Sequence, residues 1–170
     1  MQKEFSYPLQ IDELGQGEQT YKLRADKEQL KTLAEILQVP AVNSFGANIG
    51  LKFQKKRGML EVYGTVRANL GLISVISLEP FDKDYITEFK LTYDTNATYE
   101  DIYKEDDDIE EDIPDIVYDG KIDLGDIAIE QIALVMEDHP RKDGETFEAI
   151  VEDSEPIKNN PFAALAKLKK

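Results

Sequence analysis

Between Glu100 and Asp115 ten side chains are acidic and one, Lys104, is basic. Such a block repels itself in any compact arrangement, and its ionised groups are too costly to bury unpaired, so a mobile loop is expected over about residues 99–118. The packed part of the chain must then be built from what lies on either side. Those two sides differ in charge. Residues 1–98 hold 13 acidic and 12 basic side chains, whereas residues 99–170 hold 22 and 8, so nearly all of the net charge of −15 lies in the second part. A chain this acidic is not a general coat for nucleic acid, because counterion release rewards clustered Lys and Arg. DNA and membrane are not expected partners, and any RNA contact must be local.

Before the acidic block, Phe5, Tyr7 and Leu9 alternate with polar residues, as do Tyr21, Leu23 and Ala25, and both segments read as strands. Asp26 with Gln29 three residues on forms a capping box, and Leu30, Leu33, Ala34 and Leu37 follow at helical spacing until Pro40 forbids continuation. Residues 48–53 and 59–66 are strand-like, and the Lys55-Lys56-Arg57-Gly58 turn between them makes a hairpin with a basic tip. A third apolar stretch runs over 70–78, bounded by Gly71 and Pro80, and Tyr85–Tyr93 adds a strand. After the block, Asp123 caps a helix over 124–136, whose Leu124, Ile127, Ala128, Ile132 and Val135 face one way and are expected to close over the sheet.

The fold class expected is α+β, with a mainly antiparallel β-sheet or partly open barrel, two principal helices and a short C-terminal helix. One domain is expected over residues 1–150 and a tail over 151–170. From Lys158 to Lys170 the tail carries four lysines and no acid. Within it Phe162, Leu165 and Leu168 recur every three residues behind Asn160-Pro161, the pattern of a short basic amphipathic helix.

Little in the chain points to catalysis. His139, the one histidine, stands beside Pro140 and Arg141 in a polar connection, away from any serine and carboxylate arrangement that would build a nucleophile. Asp106 to Glu110 resembles a calcium loop only faintly, since the turn glycine is missing and Val117 falls where the closing glutamate belongs. Without cysteine there is no disulfide or thiolate metal site, and no Gly-Lys-Ser/Thr phosphate loop occurs. No catalytic residue, metal or cofactor is therefore expected, and the first residues lack the pattern of a secretion signal, which fits a cytoplasmic protein. The binding candidates are Lys52, Lys55, Lys56 and Arg57 at the hairpin tip with Arg67 nearby in sequence, and Phe162, Leu165, Lys167, Leu168, Lys169 and Lys170 in the tail.

Five segments in order carry a family likeness: Val62-Tyr63-Gly64-Thr65-Val66-Arg67-Ala68; Leu78-Glu79-Pro80-Phe81; Ile122-Asp123-Leu124-Gly125 with Glu130-Gln131; His139-Pro140-Arg141-Lys142-Asp143-Gly144; and Asn160-Pro161-Phe162 through Leu168. With this order and spacing the chain resembles the YceD-like family. The resemblance implies a bacterial-type factor supporting accumulation of large-subunit ribosomal RNA and ribosome assembly, with no established catalytic activity. Implied partners are large-subunit precursor RNA, ribosomal and assembly proteins, or both, and a protein-only interaction module remains the alternative. Many members carry cysteines before Leu-Glu-Pro; here Ser74 and Ser77 stand there, so a thiolate metal or redox role does not carry over. On physical grounds Gly64 is expected to admit a close neighbour, Pro80 to end a strand, Leu78 and Phe81 to be core, and Glu79 to need a cation such as Arg67.

Overall fold

A computed structural model of the chain describes residues 4–97 and 114–147. In chain order the elements are β1 (Pro8–Gln10), a single 3-10 turn (Ile11–Glu13), β2 (Gly17–Arg24), α1 (Lys27–Leu37), β3 (Ala41–Gln54), β4 (Met59–Ile73), β5 (Pro80–Asp94), β6 (Asp115–Ile116), β7 (Lys121–Asp123) and α2 (Leu124–Val135). Five strands form one sheet in the order β2-β3-β4-β5-β6, and β1 with β7 forms a separate ribbon.

The α+β class and the two helices are as expected, but the sheet is mixed and open. β2 to β5 run antiparallel, whereas β6 joins β5 in parallel through Tyr93↔Asp115 and Asp94↔Ile116. The two outer strands, β2 and β6, do not pair with each other, so no barrel closes. The first strand expected around Phe5 to Leu9 leaves the main sheet and pairs with Lys121–Asp123 instead.

β3 and β4 are much longer than the segments of strongest alternation. Leu60, Val62, Val66, Ala68, Leu70 and Leu72 all point to the core in one unbroken two-residue phase. The stretch expected over 70–78 is therefore the end of β4, followed by a turn. β3 starts seven residues before the expected position because Phe45 and Ala47 keep the phase of Ile49, Leu51 and Phe53. A register shift between Val42 and Ser44 lets Asn43 bulge, its amide donating to Asn69 Oδ1 at 2.8 Å and Asp82 Oδ1 at 3.0 Å. Pro80 opens β5 rather than closing a strand, and as a first residue its missing N–H breaks no ladder bond.

Both helices lie on one face of the sheet. α1 begins with the capping box: Asp26 accepts from Glu28 N and Gln29 N at 3.1 and 2.9 Å, and Gln29 Oε1 accepts from Asp26 N at 3.0 Å. Its Leu33 and Leu37 meet Leu23, Phe45 and the other inward side chains of the sheet in one core. α2 contributes Leu124, Ile127, Ala128 and Ile132, while Val135, expected on the same face, is 40% exposed. Asp123 caps α2 at Gly125 N and Asp126 N and also accepts from Tyr7 N at 2.8 Å and from the Ser6 hydroxyl. That one carboxylate ties the N-terminal segment to the helix start. The approach is so close that a Cβ on Gly125 would fall 2.1 Å from Phe5 O. Among the described residues no helix is long and apolar enough to cross a membrane.

Candidate nucleic-acid interface

The same two-residue phase that fills the core aims the intervening side chains at the other face, where no helix lies among the described residues. Register fixes which of them are neighbours. Arg24, Gly46 and Arg67 stand side by side on β2, β3 and β4, and the next row is Lys22, Asn48 and Thr65. With strands about 4.8 Å apart, the two arginines flank the glycine with Cα atoms about 10 Å from each other. A groove of about 610 Å³ opens at the β2 edge here, lined by Lys22, Arg24, Asn43, Asn48, Thr65 and Arg67 around Gly46 and, on the helix side, by Lys27, Leu30, Leu23 and Phe45. Asp26 is the one acid on its wall, and its carboxylate is held by the capping bonds of α1.

Lys22, Arg24, Lys27 and Arg67 form no ion pair among the described residues; the pairs seen there are Lys83–Glu137 at 2.6 Å, Lys90–Glu61 at 3.5 Å and Lys142–Glu79. Lys22, Arg24 and Arg67 around a glycine floor, with the amide of Asn48 and the hydroxyl of Thr65 between them, have the chemistry to hold an extended anion, with Lys27 at the sheet edge. Guanidinium groups bind phosphate oxygens in pairs, and the amide and hydroxyl groups add polar contacts.

The hairpin tip is a second basic place. Lys55, Lys56 and Arg57 are exposed, and Lys52 stands on the open face opposite Glu18 and Glu61. Gly58, at φ 65°, closes the turn, and its carbonyl accepts from the backbone N and hydroxyl of Thr95, both at 2.8 Å. The tip is thus braced by the end of β5. Arg67 does not belong to it: the tip end of β4, Met59, lies eight residues away along the strand, about 27 Å at about 3.4 Å per residue. The five residues taken together on sequence therefore split into two sites. Lys22 and Arg24, which join Arg67, were not read as candidates. Their signal was present in the alternation of Tyr21, Leu23 and Ala25 with cations, but only strand order brings Arg67 beside them.

The opposite end of the sheet is fastened by hydrogen bonds. Ser74, fully buried, donates its hydroxyl to Glu145, and its oxygen accepts from Ile76 N and Ser77 N at 3.2 and 3.3 Å. Glu145 also accepts from Lys142 N, and Pro140 O accepts from Val75 N at 2.9 Å. The Ser74 and Ser77 hydroxyls, followed by the Lys142 backbone and charge, hold the Glu145 carboxyl below its ordinary value. Glu79 pairs with Lys142, not with Arg67, because Arg67 points to the open face in mid-strand while 139–146 folds beside the turn. Ser74 already has all its bonding directions taken up inside the protein, so this turn does not fit a metal. Among the described residues no group of three or more His, Asp or Glu side chains converges on a cation position.

The other motif residues hold structure or lie at the surface. A Cβ on Gly64 would sit 2.1 Å from Asn48 O, which is the close approach expected there. Leu124 is fully buried and Phe81 packs against the core, but Leu78 is 77% exposed at φ 60°, correcting its expected burial. Leu78 is lifted out because its N–H closes the turn onto Ser74 O at 2.9 Å. His139, Arg141 and Glu130 are exposed. Burial, then the charges of Asp115 and Glu130, push the Tyr93 phenol up to about 12. Asn160, Pro161, Phe162, Leu165, Lys167, Leu168, Lys169 and Lys170 lie outside the described residues, as does most of the acidic segment; Asp115 and Ile116 at its end pair with β5.

Comparison with known proteins agrees with the motif order. The family model described as "Large ribosomal RNA subunit accumulation protein YceD" matches residues 62–169, and the chain belongs to that family. No curated protein and no solved structure matches it.

Proposed function

We propose that the chain, as a member of this family, supports large-subunit ribosomal RNA accumulation and ribosome assembly by binding precursor RNA, without catalysing a reaction on it. The observation that carries this reading is the convergence of Lys22, Arg24 and Arg67 on one sheet face that no helix covers among the described residues, in a chain of net charge −15. Local cations without an ion pair among the described residues, amid such an acid excess, favour an anionic ligand. The tip residues Lys52, Lys55, Lys56 and Arg57 and the tail residues Phe162, Leu165, Lys167, Leu168, Lys169 and Lys170 serve as further contacts, to RNA at the tip and to RNA or protein at the tail. Crosslinking in cells tests it: RNA should be recovered with the wild type and much reduced with Arg24→Glu/Arg67→Glu. Recovery of protein alone with both forms would sink it.

A second reading, contact with ribosomal or assembly proteins only, is favoured by a different observation. Ile73, Val75 and Leu78 are 47%, 48% and 77% exposed around the 74–79 turn, at the end of the sheet away from the basic tip. On that reading Leu78→Asp abolishes association with pre-ribosomal particles, and the arginine pair does not matter.

A further inference from the structure

The RNA reading leaves open what form of RNA the face takes, and one ring on that face bears on it. Tyr63 is the aromatic residue among the outward positions of β2 to β4. It stands directly opposite Gly50, and a Cβ at Gly50 would fall 2.5 Å from Tyr63 Cζ and 2.6 Å from Cε2. The phenol end therefore lies across the neighbouring strand, against bare backbone. The residue nevertheless remains only partly buried, so part of the ring is open to a ligand.

We infer that the uncovered face binds single-stranded RNA, with a base stacked on Tyr63 and adjoining phosphates held by Lys22, Arg24 and Arg67; this rests on the RNA reading above. Tyr63 and Arg67 lie on the same face of β4, four residues and about 14 Å apart, a span of a few nucleotides. Between them Asn48 and Thr65 offer amide and hydroxyl groups at the level of Lys22. Glu61 is countered by Lys90 at 3.5 Å, and Glu88 lies a strand further out on β5, so the least acidic path runs over β2 and β3. Gly46 keeps that path low enough for a backbone to lie along it, while Gly50 is covered by the Tyr63 ring.

A duplex would not use this arrangement. Its base faces are stacked inside the helix, and an A-form groove is read through phosphates and 2′-hydroxyls, so an aromatic ring on a shallow face has nothing to stack against. Unpaired bases all present a π face, which is why sheet surfaces that take single strands combine cations with exposed rings. The ring also has a structural role, covering Gly50, which Tyr63→Phe keeps in full and Tyr63→Leu in part, so stability is read beside affinity to separate the two roles.

The test uses the full chain, a labelled unstructured RNA oligonucleotide and a hairpin duplex of the same length, followed by fluorescence anisotropy. Wild type should prefer the single strand. Tyr63→Leu should weaken single-strand binding about tenfold, within the range of lost base stacking, and leave duplex binding unchanged, while Tyr63→Phe keeps wild-type affinity. Thermal midpoints of both variants establish that they fold, and Tyr63→Trp supplies a second readout, since single strands should quench its fluorescence. Equal affinities of the Leu and Phe variants, with binding still lost in Arg24→Glu/Arg67→Glu, would overturn the stacking while RNA binding stands. Failure of wild type to bind either RNA, in a chain that crosslinks to protein alone, would overturn both.

Discussion

The two faces of the five-stranded sheet are made from the same strands and differ in almost everything else. One carries Leu23, Phe45, Ile49, Leu60, Val62, Val66 and Leu70 beneath two helices. The other carries Lys22, Arg24, Lys52, Tyr63, Thr65 and Arg67, over glycines at 46 and 50, without a helix among the described residues. A single-residue step along β4 moves from Val66, fully buried, to Arg67, exposed and without an ion pair among the described residues. Burial on one side therefore leaves the chemistry on the other free to vary, and stability and binding should separate under mutation.

The largest effect that could break this comparison is on the covered face. Leu70→Ala should cost about 2–5 kcal/mol in chemical denaturation, whereas Arg67→Ala on the same strand should change stability by no more than about 0.5 kcal/mol. Similar losses from the two would mean that the open face is part of the packing. Gly64→Ala comes next. Its added methyl would press on backbone alone, at Asn48 O 2.1 Å and Ile49 Cα 3.0 Å away, so a loss of about 1–3 kcal/mol is expected, with the β3–β4 amide exchange rates raised around position 48. Asp123→Ala removes the α2 cap and should cost about 1 kcal/mol, with Tyr7 N losing its acceptor as well. If instead it left the melting temperature unchanged, the N-terminal ribbon would not be fastened through that carboxylate.

The smallest effect concerns the hydrogen-bonded end. Glu145 has its pKa depressed in the folded protein, so its contribution to stability is present above the ordinary glutamate value and is lost as pH falls through the lower folded one. Glu145→Gln should therefore flatten the acid limb of a melting-temperature profile below about pH 4.5, the ordinary range of a glutamate, and leave neutral pH less changed. A wild-type profile that matches the variant throughout the acid limb would contradict the assignment.

Much of the covered face was legible from alternation and capping. The Asp26 box, the Asp123 cap, the basic turn and the inward phase of Leu60 to Val66 all follow from local rules. Strand ends were not: the expected strands over 48–53 and 59–66 stop short of Gly46 and Asn69, which lie within β3 and β4, and small and polar residues are what an uncovered face tolerates. The parallel β6 was invisible because two residues at the end of an acidic run carry no periodicity. Leu78 misled for a related reason, since its apolar side chain is set by the turn onto Ser74 and not by the phase of β4. The open-face site needed register. Arg24 and Arg67 are 43 positions apart, and only pairing through Gly46 makes them neighbours.

The central claim is that this open face is an anion-binding surface for RNA, and the salt dependence of affinity tests it most directly. For a single-stranded fragment of large-subunit precursor RNA, the three engaged cations Lys22, Arg24 and Arg67 should give log K against log salt a slope of about −2.1, at about 0.7 per phosphate neutralised. Arg24→Glu/Arg67→Glu should reduce the slope by about 1.4 or more and lower affinity most at low salt, with its melting temperature unchanged. An unaltered slope and affinity in a folded double variant would contradict the account.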